Sequence, residues 1–135
     1  TPNQEEQALK AFVGFRNWYD KANFKVLASE LALVNEELRV GGTVDCIGKI
    51  DDELVLVDWK TSKGGPYPEM MIQLGAYTLM YEAAQPKADV KHGIIMRFGK
   101  EDGKFHKHVI SREKLDAGAQ AFRHCCALYN LRRKF

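Results

Sequence analysis

Residues 41–63 read GGTVDCIGKIDDELVLVDWKTSK, and the reading of this stretch decides the fold. Asp51-Asp52 separates two strand-like runs, 39–50 and 53–60, and Asp accepts the geometry of a tight hairpin turn. Leu54-Val55-Leu56-Val57 is apolar on both faces, so the second run is a strand covered on both sides. It nevertheless ends in Asp58 and Lys60, which alternation places on one face, with Trp59 pointing the other way into the core. A carboxylate and an ammonium at the end of a buried strand cost free energy unless something pairs them. They can pair with each other, but Asp45 argues for more. A hairpin register centred between Asp51 and Asp52 sets Asp45 directly opposite Asp58. Like charges placed so destabilise a sheet.

Upstream, Ala8, Phe12, Phe15, Trp18, Tyr19 and Ala22 recur at helical spacing and predict a helix over 5–22. A strand over 24–35 follows and carries Glu30 inside an apolar run. Downstream, Gly64, Gly65 and Pro66 break the pattern. The segment from Pro68 to Ala84 then reads as a helix that is apolar nearly all round, and therefore buried. Strands over 89–98 and 104–110 flank a turn from Gly99 to Gly103. A last helix over 111–133 starts at Ser111 as N-cap, with Leu115, Ala119, Phe122, Cys126 and Tyr129 as its core stripe. Lys114 stands where a capping box would have Glu or Gln. The order α-β-β-β-α-β-β-α implies an α/β (α+β) fold, a central mixed sheet flanked by helices.

The chain has 135 residues, 45% hydrophobic and 28% charged, which fits one globular domain over residues 1–135. No run approaches the roughly 18 apolar residues of a membrane span, so no membrane partner is expected. The polar start, Thr1 to Lys10, does not read as a signal peptide. Cys46, Cys125 and Cys126 are an odd number without CxxC spacing, which points to a reducing, cytoplasmic or other intracellular compartment. His106 and His108 share a strand face and read as part of a solvated hairpin. Net charge is only +2, but residues 1–68 carry −3 and residues 69–135 carry +5. Such a division is either chance scatter or an acidic cation site beside a surface that meets a polyanion.

A divalent cation between Asp45 and Asp58 would turn their repulsion into attraction. Oxygen-only ligands favour magnesium, manganese or calcium over zinc. Glu30 is the natural additional ligand, the alternative being an edge-strand residue facing water. Gln73 and Tyr77, four apart, share a face of the 68–84 helix.

Taken in order, Glu30, Gly42-Thr43-Val44-Asp45, Asp58-Trp59-Lys60-Thr61-Ser62 and Gln73-Leu74-Gly75-Ala76-Tyr77 resemble the PD-(D/E)XK nuclease superfamily. The nearest group is its RecB-like branch, which includes the CRISPR-associated adaptation nucleases and many phage exonucleases. The resemblance implies a restriction-endonuclease-like core and Mg2+- or Mn2+-dependent hydrolysis of DNA phosphodiesters. It implies metal ligation by Asp45, Asp58, Glu30 and the Trp59 backbone carbonyl, with Lys60 catalytic and Gln73 and Tyr77 positioning DNA and that lysine. Thr61, Ser62 and Lys63 are placed to donate to DNA phosphates, or simply end the strand in a turn. The four cysteines of an iron–sulfur cluster are absent, so no such cluster is expected. The upstream histidine ligand of many relatives is also missing. The expected activity is an exonuclease on DNA ends or single strands, in a DNA repair or recombination setting. A structure-specific endonuclease and a non-catalytic DNA-binding module are the alternatives. DNA is the expected partner, and any motor would come from a helicase or recombination protein. The residues leave the oligomeric state open.

Overall fold

Asp51 and Asp52 both adopt left-handed backbone, φ 51° and 64°, the conformation of a type I′ hairpin turn. That turn fixes the central register in the computed structural model, which describes residues 2–62, 64–99 and 103–135. Strands β2 (Val40–Ile50) and β3 (Glu53–Ser62) pair antiparallel from Ile50↔Glu53 to Cys46↔Val57. This is the expected register, and the pairing stops one step short of Asp45 and Asp58.

Around the hairpin lie α1 (Pro2–Ala22), β1 (Lys25–Asn35), α2 (Pro68–Ala84), β4 (Val90–Gly99), β5 (Phe105–Ser111) and α3 (Arg112–Arg132). The five strands form one mixed sheet in the order β1-β2-β3-β4-β5. β3 and β4 run parallel, joined through α2, and the other neighbours are antiparallel. α1 covers one face, where Phe15, Trp18 and Tyr19 pack on Cys46, Val55, Val57, Ile94 and Met96. α2 and α3 cover the other, where Leu74, Met80 and Leu115 pack on Val44, Ile47, Leu56 and Ile95. The expected element order and layering are therefore observed.

Four details differ from expectation. α1 begins three residues earlier, at Pro2. Its buried residue is Ala11, while Phe12 is 56% exposed. α2 is buried, as its composition predicts, but against two layers: the sheet and α3. A Cβ on Gly75 would run into the backbone of Leu115, Gly118 and Ala119, and one on Gly118 into the Met71 carbonyl. Glycine at both positions is what lets the helices approach so closely. Finally, Tyr129 does not join the core. α3 outruns the layer it packs on, and from Arg123 to Phe135 only Cys126 escapes full exposure. The N-cap holds as expected, with the Ser111 hydroxyl accepting from the Lys114 N–H at 3.3 Å.

A break in strand alternation positions the site. Side chains two apart normally share a face, yet Val44 faces α2 and Cys46 faces α1. Between the pairs Ser29↔Cys46 and Leu31↔Val44 lie Glu30, at φ 49°, and Asp45.

Candidate active site

With no strand partner opposite it, Asp45 turns its carboxylate onto the neighbouring backbone: the Trp59 N–H donates to Asp45 Oδ2 at 2.8 Å. The Asp45 and Asp58 carboxyl groups come within hydrogen-bonding range of each other. Asp58 is 3% exposed, and its Oδ2 has no hydrogen-bond partner. Lys60 Nζ lies 3.0 Å from that oxygen, an ion pair without hydrogen-bond alignment. Burial, reinforced by Asp45, pushes the Asp58 carboxyl up to about 6, against the pull of Lys60.

The lysine is held from the other side by α2. Lys60 Nζ donates to Gln73 Oε1 at 2.6 Å, and Gln73 Nε2 donates to the Tyr77 hydroxyl at 3.0 Å. Gly42 backs the tyrosine, since a Cβ there would lie 3.0 Å from Tyr77 Cε1. Lys60, Gln73 and Tyr77 line a cleft of about 540 Å³ on the α2 face, together with Phe122 of α3. Asp45 and Glu30 line a separate cleft of about 340 Å³ on the α1 face, beside Phe15 and Trp59. Asp58 links the two sets.

The remaining expected residues scatter. Glu30 is exposed on the edge strand β1, and among the described residues no three acidic, histidine or cysteine side chains form a metal-holding group. Thr61 lines a third cavity on the α1 side, with Gln7, Phe12 and Phe98. The Ser62 hydroxyl donates to the Gly64 carbonyl at 2.6 Å, as a strand-ending turn would have it. Lys63 lies outside the described residues. All three cysteines are free thiols, and burial pushes Cys46 up to about 11.

The Asp45–Asp58 pair fits a divalent cation. It offers two hard carboxylates, one with a buried oxygen that accepts no hydrogen bond among the described residues and meets only the Lys60 ammonium, and their mutual repulsion is what a cation removes.

The family model of the PD-(D/E)XK nuclease superfamily matches residues 1–133. The chain belongs to that superfamily. PD-(D/E)XK proteins are generally nucleases, which hydrolyse phosphodiester bonds and use divalent metal ions such as Mg2+. No curated protein matches the chain. Among solved structures, the crystal structure of SSO0001 is similar over 84% of this chain, at 16% identity and a TM-score of 0.49. This chain spans 56% of that protein's length. No described helix is long and apolar enough to cross a membrane.

Sequence reasoning passed over one element of the surroundings. Arg97 sits beside Lys60 in the β3–β4 register and is only 8% exposed. The available signal was a lone arginine inside the apolar run Gly93-Ile94-Ile95-Met96-Arg97-Phe98.

Proposed function

We propose that this chain is a Mg2+- or Mn2+-dependent deoxyribonuclease of the RecB-like branch, acting as an exonuclease on DNA ends or single strands. The observation that carries the reading is the Asp45–Asp58–Lys60 cluster, with its unsatisfied Asp58 Oδ2 and its lysine tied to Gln73 and Tyr77. Asp45 and Asp58 would hold the cation, with the Trp59 backbone carbonyl as a further ligand. Glu30, on the wall of the cleft shared with Asp45, is the additional carboxylate available to it. A divalent ion bound there supplies charge neutralisation at the scissile phosphate and a lowered pKa for water.

The protein's own groups do the rest. The Lys60 ammonium is paired with Asp58 and gives one N–H to Gln73, which leaves donor capacity for a phosphate oxygen on which charge develops. Gln73 fixes the ammonium, and Tyr77 fixes the Gln73 amide, so the lysine is oriented before substrate arrives. The RecB-like assignment rests on this Gln73–Tyr77 pair being tied to the lysine of the strand motif.

The test uses end-labelled linear DNA and closed circular DNA, each with manganese and with EDTA. Metal-dependent shortening of the linear substrate with the circle left intact is the expected result. Cleavage of the circle would make the protein an endonuclease, and no metal-dependent cleavage of either would refute the enzyme reading. Asp58→Ala and Lys60→Ala should each abolish cleavage while circular dichroism stays that of a folded protein.

A further inference from the structure

The α2-side face of the sheet carries a second charged row beyond the catalytic cluster. In register across β3, β4 and β5 stand Lys60, Arg97 and His106, with Asp58, Ile95 and His108 one step along. Arg97 is nine-tenths buried, yet among the described residues no carboxylate pairs with it. Its Nη1 donates to the Ser62 carbonyl at 3.3 Å, and its Nε reaches His108 Nε2 at 3.5 Å. No guanidinium nitrogen is both buried and unpartnered, so its uncommitted donors open to solvent. The other anchored arginine, Arg112, is treated quite differently. It is met by the Glu82 carboxylate at 2.6 and 2.7 Å and by Asp116 at 2.8 Å.

A largely buried cation is stable only when an anion or a full set of acceptors compensates it. At Arg97 the protein supplies one carbonyl and one imidazole. The His106 and His108 rings stack at 6.4 Å and 13°, and burial together with the Arg97 charge holds His108 below its ordinary pKa. Among the described residues Arg97 thus meets no acid, and it stands beside the lysine that meets the scissile phosphate. A guanidinium fork is well shaped for a phosphate anion.

We infer that Arg97 and His108 form a second phosphate subsite, which holds a neighbouring, non-scissile phosphate of the DNA strand being cut. The inference rests on the nuclease reading, since it takes the strand to run from Lys60 across β4 towards β5. Two strand spacings, roughly 10 Å, separate Lys60 from β5. The subsite therefore lies within a few nucleotides of the cut. Its task is to fix the strand's path.

The experiment measures binding of a fluorescent single-stranded oligonucleotide by anisotropy, in calcium and in EDTA, over a salt series. Two variants are used. Arg97→Gln removes the cation. His108→Glu places a carboxylate against Arg97 from a half-buried strand position, so it neutralises the cation without emptying the site. Each should weaken binding about tenfold and reduce the salt slope by about one. His108→Glu should be at least as resistant to heat as the parent, which separates loss of binding from loss of fold. Unchanged affinity and slope in a folded His108→Glu would overturn the subsite while leaving the nuclease reading intact. Absence of both DNA binding and cleavage in the parent protein would instead overturn the nuclease reading itself.

Discussion

Asp58→Asn should make the metal-free protein more stable while abolishing cleavage. Asp58 is 3% exposed, faces a second carboxylate, and has its carboxyl raised from 3.8 to about 6. The folded state therefore holds this proton more tightly than the unfolded chain does. In EDTA, its contribution to stability is greatest below 3.8 and is lost as pH rises to about 6. A shift of about two pKa units corresponds to about 3 kcal/mol of penalty at pH 8. Some of that disappears with the Lys60 contact that asparagine weakens, so a net gain of about 1–3 kcal/mol is expected. Denaturant unfolding of both proteins in EDTA at pH 5 and pH 8 measures it. The gain should be clear at pH 8 and smaller, by about 1.4 kcal/mol, at pH 5. Manganese should stabilise the parent at pH 8 and have far less effect on Asp58→Asn. A variant no more stable than the parent at pH 8 in EDTA would refute the claim that the paired carboxylates are held at a cost which a cation relieves.

Other substitutions test other joints. Gln73→Leu removes the 2.6 Å acceptor of Lys60 and the donor to Tyr77. A charge-assisted hydrogen bond is worth about 1.5–3 kcal/mol, so initial rates on linear DNA should fall about 10- to 100-fold with the fold retained. Gly118→Ala drives a methyl into the Met71 carbonyl, and backbone cannot yield as a side chain does. Thermal unfolding should show a loss of about 2–3 kcal/mol or more. Glu82 is held below the usual carboxylate range chiefly by its hydrogen bonds from Arg112. Its contribution is present above the ordinary range and lost as pH falls through the lowered value. Glu82→Gln should therefore cost about 1–3 kcal/mol at pH 7 and much less near pH 3, read from urea midpoints at the two pH values.

The site's central part was legible because it is local. The turn at Asp51-Asp52 fixes a register, and the register carries Asp58, Lys60 and the approach of Asp45 with it. Gln73 and Tyr77 were legible because helical spacing puts them on one face. The rest depends on distances that a linear pattern does not encode. Glu30 reads as an acid in an apolar strand, but its left-handed backbone on the edge strand and its place on the wall of the Asp45 cleft are not encoded in that pattern. Tyr129 satisfies the helical stripe, yet α3 has run past its support by then. The Glu82–Arg112 clamp joins residues 30 apart, on α2 and at the start of α3. Arg97 becomes informative only once β3 and β4 are known to lie side by side.

The bond from the Trp59 N–H to Asp45 gives the two motif acids unequal fates. Asp45 stands in for an acceptor that the sheet itself fails to provide, so it serves architecture as well as chemistry. Asp58 gives the architecture only its pairing with Lys60, at a cost that asparagine would not carry. On the proposed nuclease reading, a descendant released from the need to cut DNA would shed Asp58 early and keep Asp45, or an asparagine in its place, long afterwards. An intact Asp45 in a distant homologue would then testify to ancestry, and only Asp58 would testify to present activity.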